Sequence, residues 1–81
     1  MPPITLQRFV QKLDKLKDET DAGRLNANDY DVRLARIIRE LRERGLDADR
    51  AAATAALADA LHQGTITSPV QAHLQHRLGL A

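Results

Sequence analysis

Cysteine is absent from this chain, so disulfides, thiolate nucleophiles and cysteine-based zinc clusters are excluded together. A chain without disulfides suits a reducing compartment, and a cytoplasmic location is the expectation. Tryptophan is missing as well, and Phe9 and Tyr30 are the only aromatic residues. That is too few rings to stack the bases of a single-stranded nucleic acid, and it makes any core aliphatic and thin. Long apolar runs are also lacking: the uncharged segment 51–58 is mostly alanine and falls far short of the roughly 20 residues a membrane helix needs. The opening residues, Met-Pro-Pro-Ile-Thr-Leu-Gln-Arg, do not form a basic region followed by an apolar stretch, so no secretion signal is read there. Neither sign of charge is in excess, since 12 lysines and arginines face 11 aspartates and glutamates. A chain so balanced has no broad field to steer nucleic acid. Finally, no stretch alternates apolar and polar residues as a half-buried strand does, which leaves the helix as the organising element.

Apolar residues do recur at helical spacing, and they do so twice. One stretch runs Leu13, Leu16, Gly23, Leu25, Tyr30, Leu34, Ile38, and the other runs Leu57, Leu61, Gly64, Ile66, Val70, Leu74, Leu78. In each, an apolar-spaced segment ends at a glycine, an aliphatic residue follows two positions later, and a polar cap opens a second segment. The spacing predicts an all-α fold of four short helices arranged as two helical hairpins, about 5–45 and about 47–79, within one domain over 1–81. The first helix starts near Thr5, carries Leu6, Phe9, Val10, Leu13 and Leu16 on one face, and stops at Gly23. The second begins at Asn26 or Asn28; Asn26 would accept from the backbone near Asp29, with Leu25 and Tyr30 placed to form a hydrophobic staple. Tyr30, Leu34, Ile37, Ile38 and Leu41 then share a face that ends at Gly45. Asp47 or Asp49 caps the third helix, which runs to about Gln63 with Ala53, Leu57, Ala60 and Leu61 inward. For the fourth, Ser68 reads as the cap, Pro69 as the first helical residue and Gln71 as the partner in a capping box.

Several chemical readings can be weighed from spacing alone. Gly23 with Leu25, and Gly64 with Ile66, stand as the glycine and aliphatic residue of a calcium loop do. Counting back from Gly23, however, puts Thr20 and Ala22 where carboxylates are needed and Asp29 in place of the bidentate glutamate, and the loop from Asp59 to Val70 holds almost no ligands. A metal-free pairing of two such hairpins survives as an analogy of fold. His62, His73 and His76 lack an evident carboxylate to complete a zinc site. No nucleophile and base are spaced to meet, and no glycine loop cradles phosphate, so neither an enzyme nor a cofactor is expected. The segment from Ala60 through Gly64 to Leu74 has the spacing of a helix-turn-helix, but its second helix offers only Arg77 as a fixed cation. The arginines gather instead on the second helix, where Arg33, Arg36, Arg39, Arg42 and Arg44 lie largely away from the apolar face.

The first hairpin, and more loosely the second, resembles the short C-terminal domain family, a helical-hairpin module. Gly23, Leu25, Asp29 and Tyr30 carry the match in one copy, and Gly64, Ile66 and Thr67 in the other, where Pro69 and Val70 replace the acidic-aromatic step. The resemblance implies a role in oligomerisation or tethering. The residues themselves point the same way: a small intracellular, non-enzymatic binding or regulatory module, expected to self-associate as a homo-oligomer and to recognise a protein partner or a second copy of itself by helix faces. On this reading apolar positions at the ends, Ile4, Val10, Leu46 and Leu80, meet the partner, and Arg33, Arg36, Arg39 and Arg42 supply charge complementarity. The alternative is a nucleic-acid-binding regulator that uses the 60–74 segment or the arginine ridge.

Overall fold

Helix starts in this chain are set by polar side chains that accept backbone N–H groups. In the computed structural model, which describes residues 2–80, Thr5 accepts from the Arg8 amide at 3.2 Å and opens α1 (Leu6–Asp21). Asn26 accepts from the Asp29 amide at 2.8 Å and opens α2 (Ala27–Arg44). Asp49 accepts from the Ala52 amide at 2.7 Å and opens α3 (Arg50–His62). The start of α4 (Ser68–Arg77) differs from the expected capping box: Thr67 is the cap residue and no side chain bonds there. The reason is local, because the Gln71 amide already donates to the Thr67 carbonyl at 2.9 Å, and Pro69 has no N–H to offer.

Helix ends are just as local. After α1, the Gly23 amide donates to the Thr20 carbonyl and the Arg24 amide to the Glu19 carbonyl, at 3.1 and 3.0 Å. This is the Schellman closure, and the same pair of bonds recurs after α3 and α4. α2 ends otherwise. Gly45 has φ 81° and ψ 160°, an extended conformation that side-chain-bearing L-residues avoid, and it turns the chain straight out of the helix.

That turn delivers an element that apolar periodicity does not announce. Ile4–Thr5 (β1) and Leu46–Asp47 (β2) pair as a parallel two-strand ladder, Ile4 opposite Leu46 and Thr5 opposite Asp47. The Ile4 amide donates to the Gly45 carbonyl at 2.9 Å. The class is all-α as expected, and the chain reads β1-α1-α2 followed by β2-α3-α4, so each hairpin is entered through a strand. α1 packs on α2 and α3 on α4, and α1 lies against α3 to join the hairpins.

The core sits at that junction. Phe9, Leu57 and Leu74 are fully buried, Ile4 and Leu13 nearly so, and Leu16, Leu34, Ile38, Leu41, Ala60 and Ile66 complete the cluster. Leu25 and Tyr30, the two staple residues, are half-buried against it. No polar or charged side chain is buried among the described residues. The radius of gyration is 12.0 Å, close to the roughly 11.7 Å of a compact globule of this length.

Candidate functional site

The interior offers no chemistry, so the site has to be sought on the surface, and α2 dominates it. With Leu34, Ile38 and Leu41 turned to the core, the 100° step per residue sends Val32, Arg36, Arg39 and Glu43 to the opposite side. Val32 is the one large aliphatic residue that is exposed among those described, at 59%. Arg33, Arg36, Arg39 and Arg42 are all exposed. The ridge therefore exists, but its members are not equivalent.

Arg33 reaches across to α1, where its guanidinium meets Glu19 at 3.2 Å, rather than pairing along its own helix with Asp29. Arg39 pairs with Glu43 at 3.2 Å in an exposed i,i+4 contact, which is worth little in water. Arg44 leaves the ridge altogether. It donates to Glu40 at 3.0 Å and to the Pro2 carbonyl at 3.0 Å, tying the segment before β1 to the end of α2. Glu40 also accepts from Lys12 of α1 at 3.3 Å. The Lys12 ammonium foremost, with Arg44, holds the Glu40 carboxyl below its ordinary range. Tyr30 shifts the other way, its phenol raised first by burial and then by the Asp31 charge. Arg36 and Arg42 have no carboxylate partner among the described residues.

Two grooves flank α2. The one toward α1 is lined by Lys12, Lys15, Arg33 and Arg36 over Leu16 and Ile37, with Glu40 as its carboxylate. The one toward α4 is lined by Arg39, Arg42, Arg77 and His73 over Ala35 and Ile38, with Glu43 as its carboxylate and about 390 Å³ of open volume. Cations thus border α2 on both sides as well as on its crest.

The apolar positions expected at the ends do not form a patch. Ile4 is 1% exposed, because its pairing with Leu46 and the Gly45 carbonyl draws it into the core. Leu46 and Leu80 are half-buried and packed against that core, and Val10 is half-buried at the margin of α1. Ile4 is thus corrected from a surface contact to a core residue, while Val10, Leu46 and Leu80 keep partial exposure. Sequence reasoning missed Val32 and Ala35, although their places on α2 opposite and beside the core face were readable from helical periodicity.

Among the described residues no group of three or more histidine, aspartate or glutamate side chains converges to hold a metal ion. In α4, His73, His76 and Arg77 are exposed while Gln71 and Gln75 are half-buried, so the second helix of the 60–74 segment presents one fixed cation. No described helix is long and apolar enough to cross a membrane. The site defines a helical surface with a cationic helix at its centre, and this class is as far as likeness carries: no family model matches the chain, nor does any curated protein or solved structure.

Proposed function

We propose that this protein is a non-enzymatic binding module of the cytoplasm that recognises an acidic segment of a partner protein through α2. The observation that carries the reading is the run of cations on the crest and both flanks of that helix, with Arg36 and Arg42 unpaired by any described carboxylate. Charged rims of this kind set partner choice and encounter rate more than raw affinity, and Val32 with the groove floors adds apolar contact.

A protein segment fits the extent of the charge better than a nucleic acid does. Duplex DNA carries a negative charge about every 1.7 Å along its axis, and its binding draws on several phosphates neutralised together. Here exposed aspartates bound the basic region: Asp29 and Asp31 at the start of α2, Asp14, Asp18 and Asp21 along α1. A short acidic stretch meets the arginines without running onto those carboxylates.

The test is fluorescence anisotropy of a labelled 16-residue peptide rich in glutamate and leucine, with a lysine-for-glutamate version as control, in low and moderate salt. Binding of the acidic peptide alone, weakened about tenfold in the Arg36→Glu/Arg42→Glu variant, supports the proposal. Equal binding of both peptides, or none of either, removes it. A labelled 20-base-pair duplex bound more tightly than the acidic peptide, with a steep loss on adding salt, replaces it with the nucleic-acid reading.

A further inference from the structure

α2 and α4, the second helices of the two hairpins, do not pack closely on one another: α2 is held by α1, and α4 by α3. What lies between them is a groove. Its first section, about 350 Å³, is bounded by Asp31, Ala35, Pro69 and His73. Ala35 and His73 also border the next section, about 390 Å³, which reaches Arg42 and Arg77. Those two arginines in turn border a third section, about 360 Å³, floored by Leu41, Ala53 and Leu78. Sharing walls, the three sections lie in succession along α2 and α4. Because Asp31 stands with Pro69 at one end and Arg42 with Arg77 at the other, α2 and α4 run in the same sense. From Asp31 to Arg42 the groove is about 16 Å long at a rise of 1.5 Å per residue, the length of three helical turns.

The floor is aliphatic, supplied by Leu34, Ile38 and Val70 together with Leu41. The walls are charged, and unevenly so. At the opening section Asp31 is the one formal charge. The middle section holds Arg39, Arg42 and Arg77 against Glu43, and Glu43 is already bonded to Arg39. The third section adds Arg50 and Asp49, whose carboxylate accepts from the Ala52 amide, so the groove is apolar along its base and net cationic toward the Arg42 and Arg77 end. Ala35, exposed and on the wall of two sections, leaves the entrance wide because its side chain is one methyl group.

Resting on the acidic-partner reading above, we propose that the α2–α4 groove is the seat, and that its occupant is one amphipathic helix of a partner protein, about three turns long, with carboxylates clustered at one end. Apolar side chains at i, i+4 and i+7 lie along the floor, and the carboxylates meet Arg42 and Arg77. A second copy of this chain does not fit, since among the described residues Val32 is the one exposed large aliphatic side chain and no free helix face carries three.

The test uses the full chain and a synthetic 14-residue helix with leucines at i, i+4 and i+7 and four glutamates in its last turn. A peptide of equal composition with the glutamates spread evenly serves for comparison. Ala35→Phe narrows the groove without touching charge, Arg42→Glu/Arg77→Glu reverses its cationic end, and Arg36→Glu alters the crest of α2 outside it. The proposal expects the clustered peptide to bind at least fivefold more tightly than the spread one. It expects a loss of tenfold or more in Ala35→Phe and in Arg42→Glu/Arg77→Glu, each checked for native helix content, and a smaller loss than either in Arg36→Glu, whose charge acts on the partner from the crest alone. Wild-type affinity in Ala35→Phe with loss in Arg36→Glu overturns the groove but leaves the acidic-partner reading standing. Failure of the wild type to bind either peptide overturns both. Tighter binding of a 20-base-pair duplex, sensitive to Arg36→Glu and indifferent to Ala35→Phe, overturns the groove in favour of nucleic acid.

Discussion

Replacing Gly45 by alanine isolates a purely conformational cost. A Cβ built on Gly45 meets nothing within 4 Å, so no clash contributes, and the penalty comes from holding an L-residue at φ 81° and ψ 160°. Such a backbone costs of order 1–3 kcal/mol. The chain cannot relax out of it cheaply, because the Gly45 carbonyl accepts from Ile4 and the Gly45 amide donates to Leu41 at 2.7 Å; releasing the strain breaks the end of α2 or the ladder. Against a total stability of roughly 4–12 kcal/mol for 81 residues, about 2 kcal/mol is a large fraction. With a urea slope near 1 kcal/mol/M for a domain this small, Gly45→Ala should lower the unfolding midpoint by about 2 M at unchanged slope, followed by circular dichroism at 222 nm. D-alanine, installed by chemical synthesis, has the mirror-image preference and should raise stability by about 0.4–1 kcal/mol, since it restricts the unfolded chain without strain. A Gly45→Ala midpoint within about 0.3 M of wild type, or a D-alanine chain as unstable as the L-alanine one, would refute the reasoning.

Leu57, fully buried where the hairpins meet, should cost about 2–5 kcal/mol on truncation to alanine, enough to leave a partly unfolded population at 25 °C in the same titration. Asn26→Ala removes an acceptor bonded at 2.8 Å and should cost about 1 kcal/mol, whereas Thr67→Ala, at a cap with no side-chain bond, should change stability by less than about 0.5 kcal/mol in thermal melts. Glu40, with its carboxyl held below the ordinary value of 4.5 by Lys12 and Arg44, gives folding a preference for the carboxylate. The unfolded chain then takes up the proton first, so this contribution is complete above about pH 4.5 and fades as pH falls through the folded value. Melting temperature measured from pH 6 to pH 3 should fall less steeply in Glu40→Gln than in wild type.

What was legible in the sequence was what neighbouring residues decide. Thr5, Asn26 and Asp49 each bond an amide three residues on, a relation the sequence displays directly, and the inward faces of α1 and α2 follow from a 3.6-residue period. The capping box at Ser68 and Gln71 failed within the same local range, through competition from the Thr67 carbonyl. The strand pair could not be seen because two residues carry no period, and with it went the burial of Ile4, which depends on a partner 42 positions away. The arginine ridge was legible as a face. That Arg33 is engaged by Glu19, and Arg44 by Pro2, was not, since those contacts are set by packing between elements, whereas the Glu40–Arg44 pair lies four residues apart on one helix and is local. The groove between α2 and α4 has the same origin: each wall reads as an ordinary exposed helix side until the hairpins are laid side by side.

The ladder also sets an order of events as the chain is made. A parallel pair cannot form from a tight turn and needs a whole intervening crossover, here the first hairpin. α1 and α2 are close in sequence and can meet as soon as both exist, but Ile4 has no neighbour to pair with until the chain has passed Gly45. Until then an aliphatic side chain and the amide behind it stand open beside Phe9. The first hairpin is thus born with an unfinished edge, and Ile4 cannot find its place until Leu46 has been made.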